Sequence, residues 1–177
     1  MTDNQTHRPR DACTFAAQAL AHRLSRMLSY FDGVLNGKDP EAVHQMRVWS
    51  RRARVVFELF ANCFDEKDFK ELSKELRRIT RALREARDLD VMLERLQREQ
   101  ESLPTSQRAG IQQLCEQLTQ RRAQKQREVA ATLTRFEAQR VKERFEKLLA
   151  PYGATLKLRT SQKIPKNGHG KGKPTPP

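Results

Sequence analysis

The sequence predicts an all-α protein, an antiparallel up-down helical bundle of four to five helices, on three observations. Apolar residues recur at three- and four-residue steps through most of the chain, and no stretch alternates for long as a strand does. The breaks between periodic segments are short and carry Gly, Pro and capping residues, and short breaks join antiparallel neighbours. Charged residues are 32% of the 177 and apolar ones 37%, the balance of helices with wet outer faces.

The first helix is expected over 11–35, with Phe15, Ala19, Leu20, Leu24, Met27, Leu28, Phe31 and Leu35 inward. Asn36-Gly37 ends it, and Asp39-Pro40 opens the second with an N-cap and a first-turn proline. That helix runs to about Cys63 and buries Ala42, Met46, Trp49, Ala53, Val56, Phe57 and Phe60. Asp65 caps a third, which continues to about Glu101 with Leu72, Leu76, Ile79, Leu83, Leu89, Leu93 and Leu96 inward. Leu103-Pro104 breaks the chain, and Thr105 or Ser106 caps a fourth helix. Its apolar positions are Ile111, Leu114, Leu118, Val129, Leu133 and Phe136. A continuation or short fifth helix carries Val141, Phe145, Leu148 and Leu149 before Pro151. Three regions follow: a flexible N-terminus (1–10), the bundle (11–150) and a disordered basic tail (151–177) of Gly, Pro, Lys and Thr.

No apolar run approaches the roughly 18 residues of a membrane span, and 1–10 lacks the apolar core of a signal peptide. Cys13, Cys63 and Cys115, odd in number and far apart, predict reduced thiols in a cytoplasmic protein, with Cys63 and Cys115 as small core residues. Of the thirteen net positive charges, six lie in 151–177. Within 40–100, fourteen basic residues face twelve acids, so any function there rests on arrangement. A pI near 10.2 favours polyanions as partners.

That arrangement is one-sided. His44, Arg47, Arg51 and Arg54 fall within about a quarter of the second helix's circumference, and only Glu58 closes the row. The third helix repeats the device with Lys70, Lys74, Arg77, Arg81 and Arg84, flanked by Arg78 and Arg87. Successive members rise about 5–6 Å, so the row spans about 20 Å. Asp88 falls on the stripe four after Arg84, where a structural ion pair with a neighbouring arginine is its expected role. If the two helices pack antiparallel, the stripes face a shared groove, with Arg121, Arg122 and Lys125 of the fourth helix as a further wall. One row of cations is ordinarily a solvated face. Two in succession point to a phosphate ligand, since guanidinium groups grip phosphate oxygens in pairs and Lys adds point charge.

The segment Asp39-Pro40-Glu41-Ala42-Val43-His44-Gln45-Met46-Arg47-Val48, followed by Arg51-Arg52-Ala53-Arg54, resembles the signature helix of CHAD (conserved histidine α-helical) domains. Arg87-Asp88-Leu89-Asp90-Val91 resembles the family's second motif. The resemblance covers about 11–150 and implies a helical bundle whose basic groove binds inorganic polyphosphate, without catalysis. It assigns that role to His44, Arg47, Arg51, Arg52, Arg54, Arg81 and Arg87, with Asp88 beside them. Full-length members have two similar halves around one channel, whereas this chain has room for the first, so a homodimer rebuilding the channel is an expectation. Arg84 stands where the resemblance expects glycine. Association with polyphosphate granules is likewise only implied.

Other chemistries find less support. His7, His22, His44 and His169 have no ligand spacing among themselves or with cysteine, so neither metal nor cofactor is expected. No Gly-rich phosphate loop or nucleophile motif is present, so no enzyme is expected. Nucleic acid is the competing ligand, because any cationic groove attracts phosphates. Few aromatics lie off the apolar stripes to stack bases, however. A structural half-domain that completes another helical protein is the remaining alternative.

Overall fold

Small and aliphatic side chains on α1 (Pro9–Leu28), namely Ala16, Ala17, Leu20, Ala21, Leu24 and Met27, let the helix Pro40–Leu59 approach closely. The chain then forms α2 (Phe31–Asn36), α3 (Pro40–Leu59), α4 (Glu66–Ser102), α5 (Thr105–Ala138) and α6 (Val141–Leu149). Single 3-10 turns occur at Ala61–Cys63 and Ala150–Tyr152. The computed structural model describes residues 9–37 and 39–157, so the expected flexible N-terminus up to residue 8 and the tail from 158 lie outside the described residues. Among the described residues there is no strand, and no helix is long and apolar enough to cross a membrane.

In chain order α1 packs on α3, α3 on α4 and α4 on α5. Short α2 touches α3 and α5, while α6 touches α4, α5 and α1 and closes the other side. Caps mark two of the helix starts. Asp39 accepts the Glu41 N–H at 2.9 Å, and Asp65 accepts those of Lys67 and Asp68 at 3.0 Å. The core centres on Phe57, whose ring lies within 5.6 Å of those of Phe64, Phe69 and Phe145.

Several expectations need correction. The first helix is two, because Tyr30 N–H bonds back to Met27 C=O and the chain turns before Phe31. The turn brings Phe31 and Val34 inward and leaves Leu35 38% exposed. Phe15 is 64% exposed, since the alanine-rich side of α1 faces the core in its place. Trp49, Val56 and Phe60 are half-buried at the rim. Gly37 has φ +67° and ends α2, and a Cβ there would sit 2.7 Å from the Gln126 amide. That amide donates to Val34 C=O at 2.7 Å, tying α5 to α2.

The cysteines also depart from expectation. Cys13 on α1 and Cys63 form a disulfide with Cα atoms 5.3 Å apart, so two of the three are not reduced thiols. Cys115 is free but only half-buried, as is Cys63. The pairing depends on α1 lying beside the 3-10 turn, which a separation of 50 residues hides. The tail begins later than expected. Ala154 is buried, Leu156 half-buried, and Lys157 N–H donates to Ser25 Oγ at 2.9 Å, so 153–157 is a strap packed along α1.

From Val91 to Gln117 no side chain is buried. The ends of α4 and α5 form a two-helix arm projecting beyond the core, which explains why Leu93, Leu96 and Ile111 are only half-buried and Leu114 is 42% exposed.

Candidate anion-binding face

Helices α3 and α4 run antiparallel with their polar stripes on the same side of the seam. Arg77 on α4 donates from Nε and a terminal nitrogen to Glu58 Oε1 on α3, at 3.1 and 3.0 Å. Thr80 Oγ1 lies 3.4 Å from the buried Ser50 Oγ deeper in the seam. As numbers rise on α3 they fall on α4. The stripes therefore run side by side on one face, but they differ in charge.

On the α4 wall most cations already have carboxylates. Arg77 pairs with Glu58, Arg84 lies 3.6 Å from Asp88, and Arg87 pairs with Glu94 at 2.9 Å. Arg78 is held by Glu75 at 2.5 Å. Lys74 and Arg81 are exposed and make no ion pair among the described residues. Arg84 is 75% exposed, so no helix approaches where the resemblance expects a glycine. On α5, Arg121 is exposed and unpaired among the described residues, while Lys125 lies 2.7 Å from Glu128 and 2.9 Å from Glu85. Its hydrogen bonds to Glu128 and then Glu85 hold the Lys125 ammonium above its ordinary pKa. The Lys125 bond in turn holds the Glu85 carboxyl below its own. The stability from Glu85 is thus present at neutral pH and lost as pH falls through its lowered folded value.

Arg122 is the least available. Its Nε lies 2.6 Å from Asp90 Oδ1, with the two side chains 12% and 8% exposed, and a terminal nitrogen donates to Gln126 Oε1 at 3.0 Å. Gln126 passes the contact on to Val34 C=O, so Arg122 links α4, α5 and α2.

The α3 wall is different. Between Glu41 and Glu58 the chain has no acid, and Arg47, Arg51, Arg52 and Arg54 make no ion pair among the described residues. Arg51 and Arg52 are exposed, and His44, Arg47 and Arg54 half-buried. His44 Nδ1, Arg47 Nε and Arg54 Nε are shielded from solvent, and no group among the described residues bonds to them.

Helix α1 joins this face, which sequence reasoning missed. Arg23 shares with Arg47, Arg51 and Arg52 a concavity of about 370 Å³ floored by Val48 and Val55. Arg26 sits over the Trp49 ring at 5.5 Å and Arg52 over the same ring at 4.8 Å, with His22 edge-on at 5.9 Å. Between Asp11 and Asp32 α1 lacks acids, the same signal that singled out α3, but two arginines make too short a row to stand out. The arrangement has the chemistry of an anion site: guanidinium groups on two helices without ion-pair partners, apolar surface between them, and no carboxylate in the lining among the described residues. Among the described residues no three His, Cys, Asp or Glu side chains converge as metal ligands.

No curated protein and no solved structure matches the chain. The match to the CHAD domain runs over residues 18–168, most of the chain, and so the chain belongs to the CHAD domain family.

Proposed function

We propose that this domain binds inorganic polyphosphate without catalysing its reaction. The observation that supports this reading most is the unpaired guanidinium set Arg47, Arg51, Arg52 and Arg54 on α3, faced by Arg23 of α1 and free of acids. Lys74, Arg81 and Arg121 extend it across the α4 and α5 walls. An exposed ion pair is worth about 0–1 kcal/mol, so a polyanion draws Arg77, Arg84, Arg87 and Lys125 away from their carboxylates at small cost. His44 donates a hydrogen bond to phosphate from the head of the row. Single-stranded nucleic acid is the weaker reading, because Trp49 is covered by Arg26 and Arg52 and offers no open stacking platform. Polyphosphate granules are where such a ligand would be met, although the Cys13–Cys63 bond removes the reduced-thiol ground for placing the chain in the cytoplasm.

A competition titration at about 150 mM salt tests this. Long-chain polyphosphate is set against double- and single-stranded nucleic acid matched for phosphate, with affinity falling steeply as salt rises. Polyphosphate is expected to win by tenfold or more, and Arg47→Ala with Arg51→Ala to weaken it about tenfold while helicity is kept. Equal competition, or indifference to those two substitutions, sinks the reading.

The arm favours self-association as part of the same function. Val91, Met92 and Leu114 of the arm are 46%, 49% and 42% exposed, apolar positions that a second copy would cover. Light scattering at about 10 μM is expected to give twice the chain mass. A monomer there removes the dimer.

A further inference from the structure

A second concavity lies on the other side of Trp49. It has a volume of about 770 Å³ between α1 and the strap, and His22, Arg26 and Lys157 line it with the polar groups of Gln18, Ser29 and Thr155. No carboxylate is among its lining residues within the described part of the chain. Its cations are placed by the fold. Arg26 is held by the Trp49 ring and by Tyr30, whose hydroxyl lies 3.4 Å from the guanidinium. Lys157 is positioned by its own backbone bond to Ser25 and by the burial of Ala154 three residues earlier.

The two concavities are neighbours through a single ring. Arg26 belongs to one and Arg52 to the other, and their guanidinium carbons lie 5.5 and 4.8 Å from the same indole centroid. We propose that the α1–strap cavity is a second phosphate subsite, continuous around Trp49 with the α3 concavity, that takes the next stretch of the same polyphosphate chain. This rests on the polyphosphate reading above. A ligand that fills both must be narrow, flexible and anionic at every step, because it turns around an indole flanked by arginines. A stiff duplex does not make that turn, and a small apolar molecule meets Arg26 and Lys157 in the cavity.

The test uses the full chain with His22→Gln and Lys157→Gln together, both exposed positions at which helicity should survive. Long-chain polyphosphate is titrated calorimetrically into wild type, this variant, and the Arg47→Ala, Arg51→Ala variant, at several salt concentrations. The subsite predicts a three- to tenfold loss of affinity and a shallower salt dependence, by about one unit of log–log slope for the Lys157 charge removed. Emission from Trp49, the chain's only tryptophan, should shift when tripolyphosphate is added to wild type. Binding by the His22, Lys157 variant within twofold of wild type, with the Arg47, Arg51 variant weakened, overturns the second subsite and leaves the polyphosphate reading standing. No binding by wild type overturns both. Should the double variant lose helicity, Lys157→Gln alone repeats the test on the exposed strap.

Discussion

Replacing Arg122 with Ala should cost about 3–5 kcal/mol of stability, the usual result of leaving a buried charge without its partner. Asp90 is 8% exposed and its Oδ1 has Arg122 Nε at 2.6 Å, while Oδ2 is buried with no hydrogen bond. Without the guanidinium the buried carboxylate is left without its partner. Gln126 also loses the donor that orients its amide toward Val34. In a chain of this length such a loss lowers the melting temperature by on the order of 10 °C. Exchanging both partners together, Asp90→Leu with Arg122→Met, should recover most of it, since removing a buried pair outright is often neutral. Urea unfolding of the three variants checks this. A single Arg122→Ala within about 1 kcal/mol of wild type would refute the clamp. Measured where the variant is still folded, its polyphosphate affinity should stay within twofold of wild type, in contrast to loss of Arg51.

Opening the Cys13–Cys63 bond should cost a comparable amount. A closed loop of 50 residues restricts the unfolded chain by about 4 kcal/mol in the chain-entropy account. The bond fastens the start of α1 to the turn after α3, where Phe64 packs on Phe57 and Tyr152, and the Tyr152 hydroxyl donates to Cys63 C=O. Thiol titration in denaturant should find one free thiol, Cys115, and three after reduction. Urea midpoints with and without reductant then give the stabilisation. Three thiols in the untreated protein would show the bond absent.

The elements were legible wherever a local rule decides them. Asp39 and Asp65 cap the helices they were expected to cap, and Leu72, Leu76, Ile79 and Leu83 face inward at their helical period. The division of α1 from α2 was not legible, because Ser29-Tyr30 contains neither Gly nor Pro. Both cationic stripes could be read from spacing alone. What spacing hides is which cations are already engaged. Glu58 with Arg77 and Asp90 with Arg122 are 19 and 32 residues apart, and they meet only once the helices have packed. The contribution of α1 was hidden for the same reason, since Arg23 and Arg26 matter by what stands across from them.

The arm between Val91 and Gln117 gives the molecule two tiers of cooperativity. Without a buried side chain, its helical hydrogen bonds are protected by little beyond one another, and such segments open at a fraction of the global free energy. The Asp90–Arg122 pair stands at the boundary as a latch, with Leu118 the nearest buried residue on α5. The tip can therefore fray and re-form many times during one lifetime of the folded core, while the arginines of α1 and α3, on the stable side of the latch, keep their places.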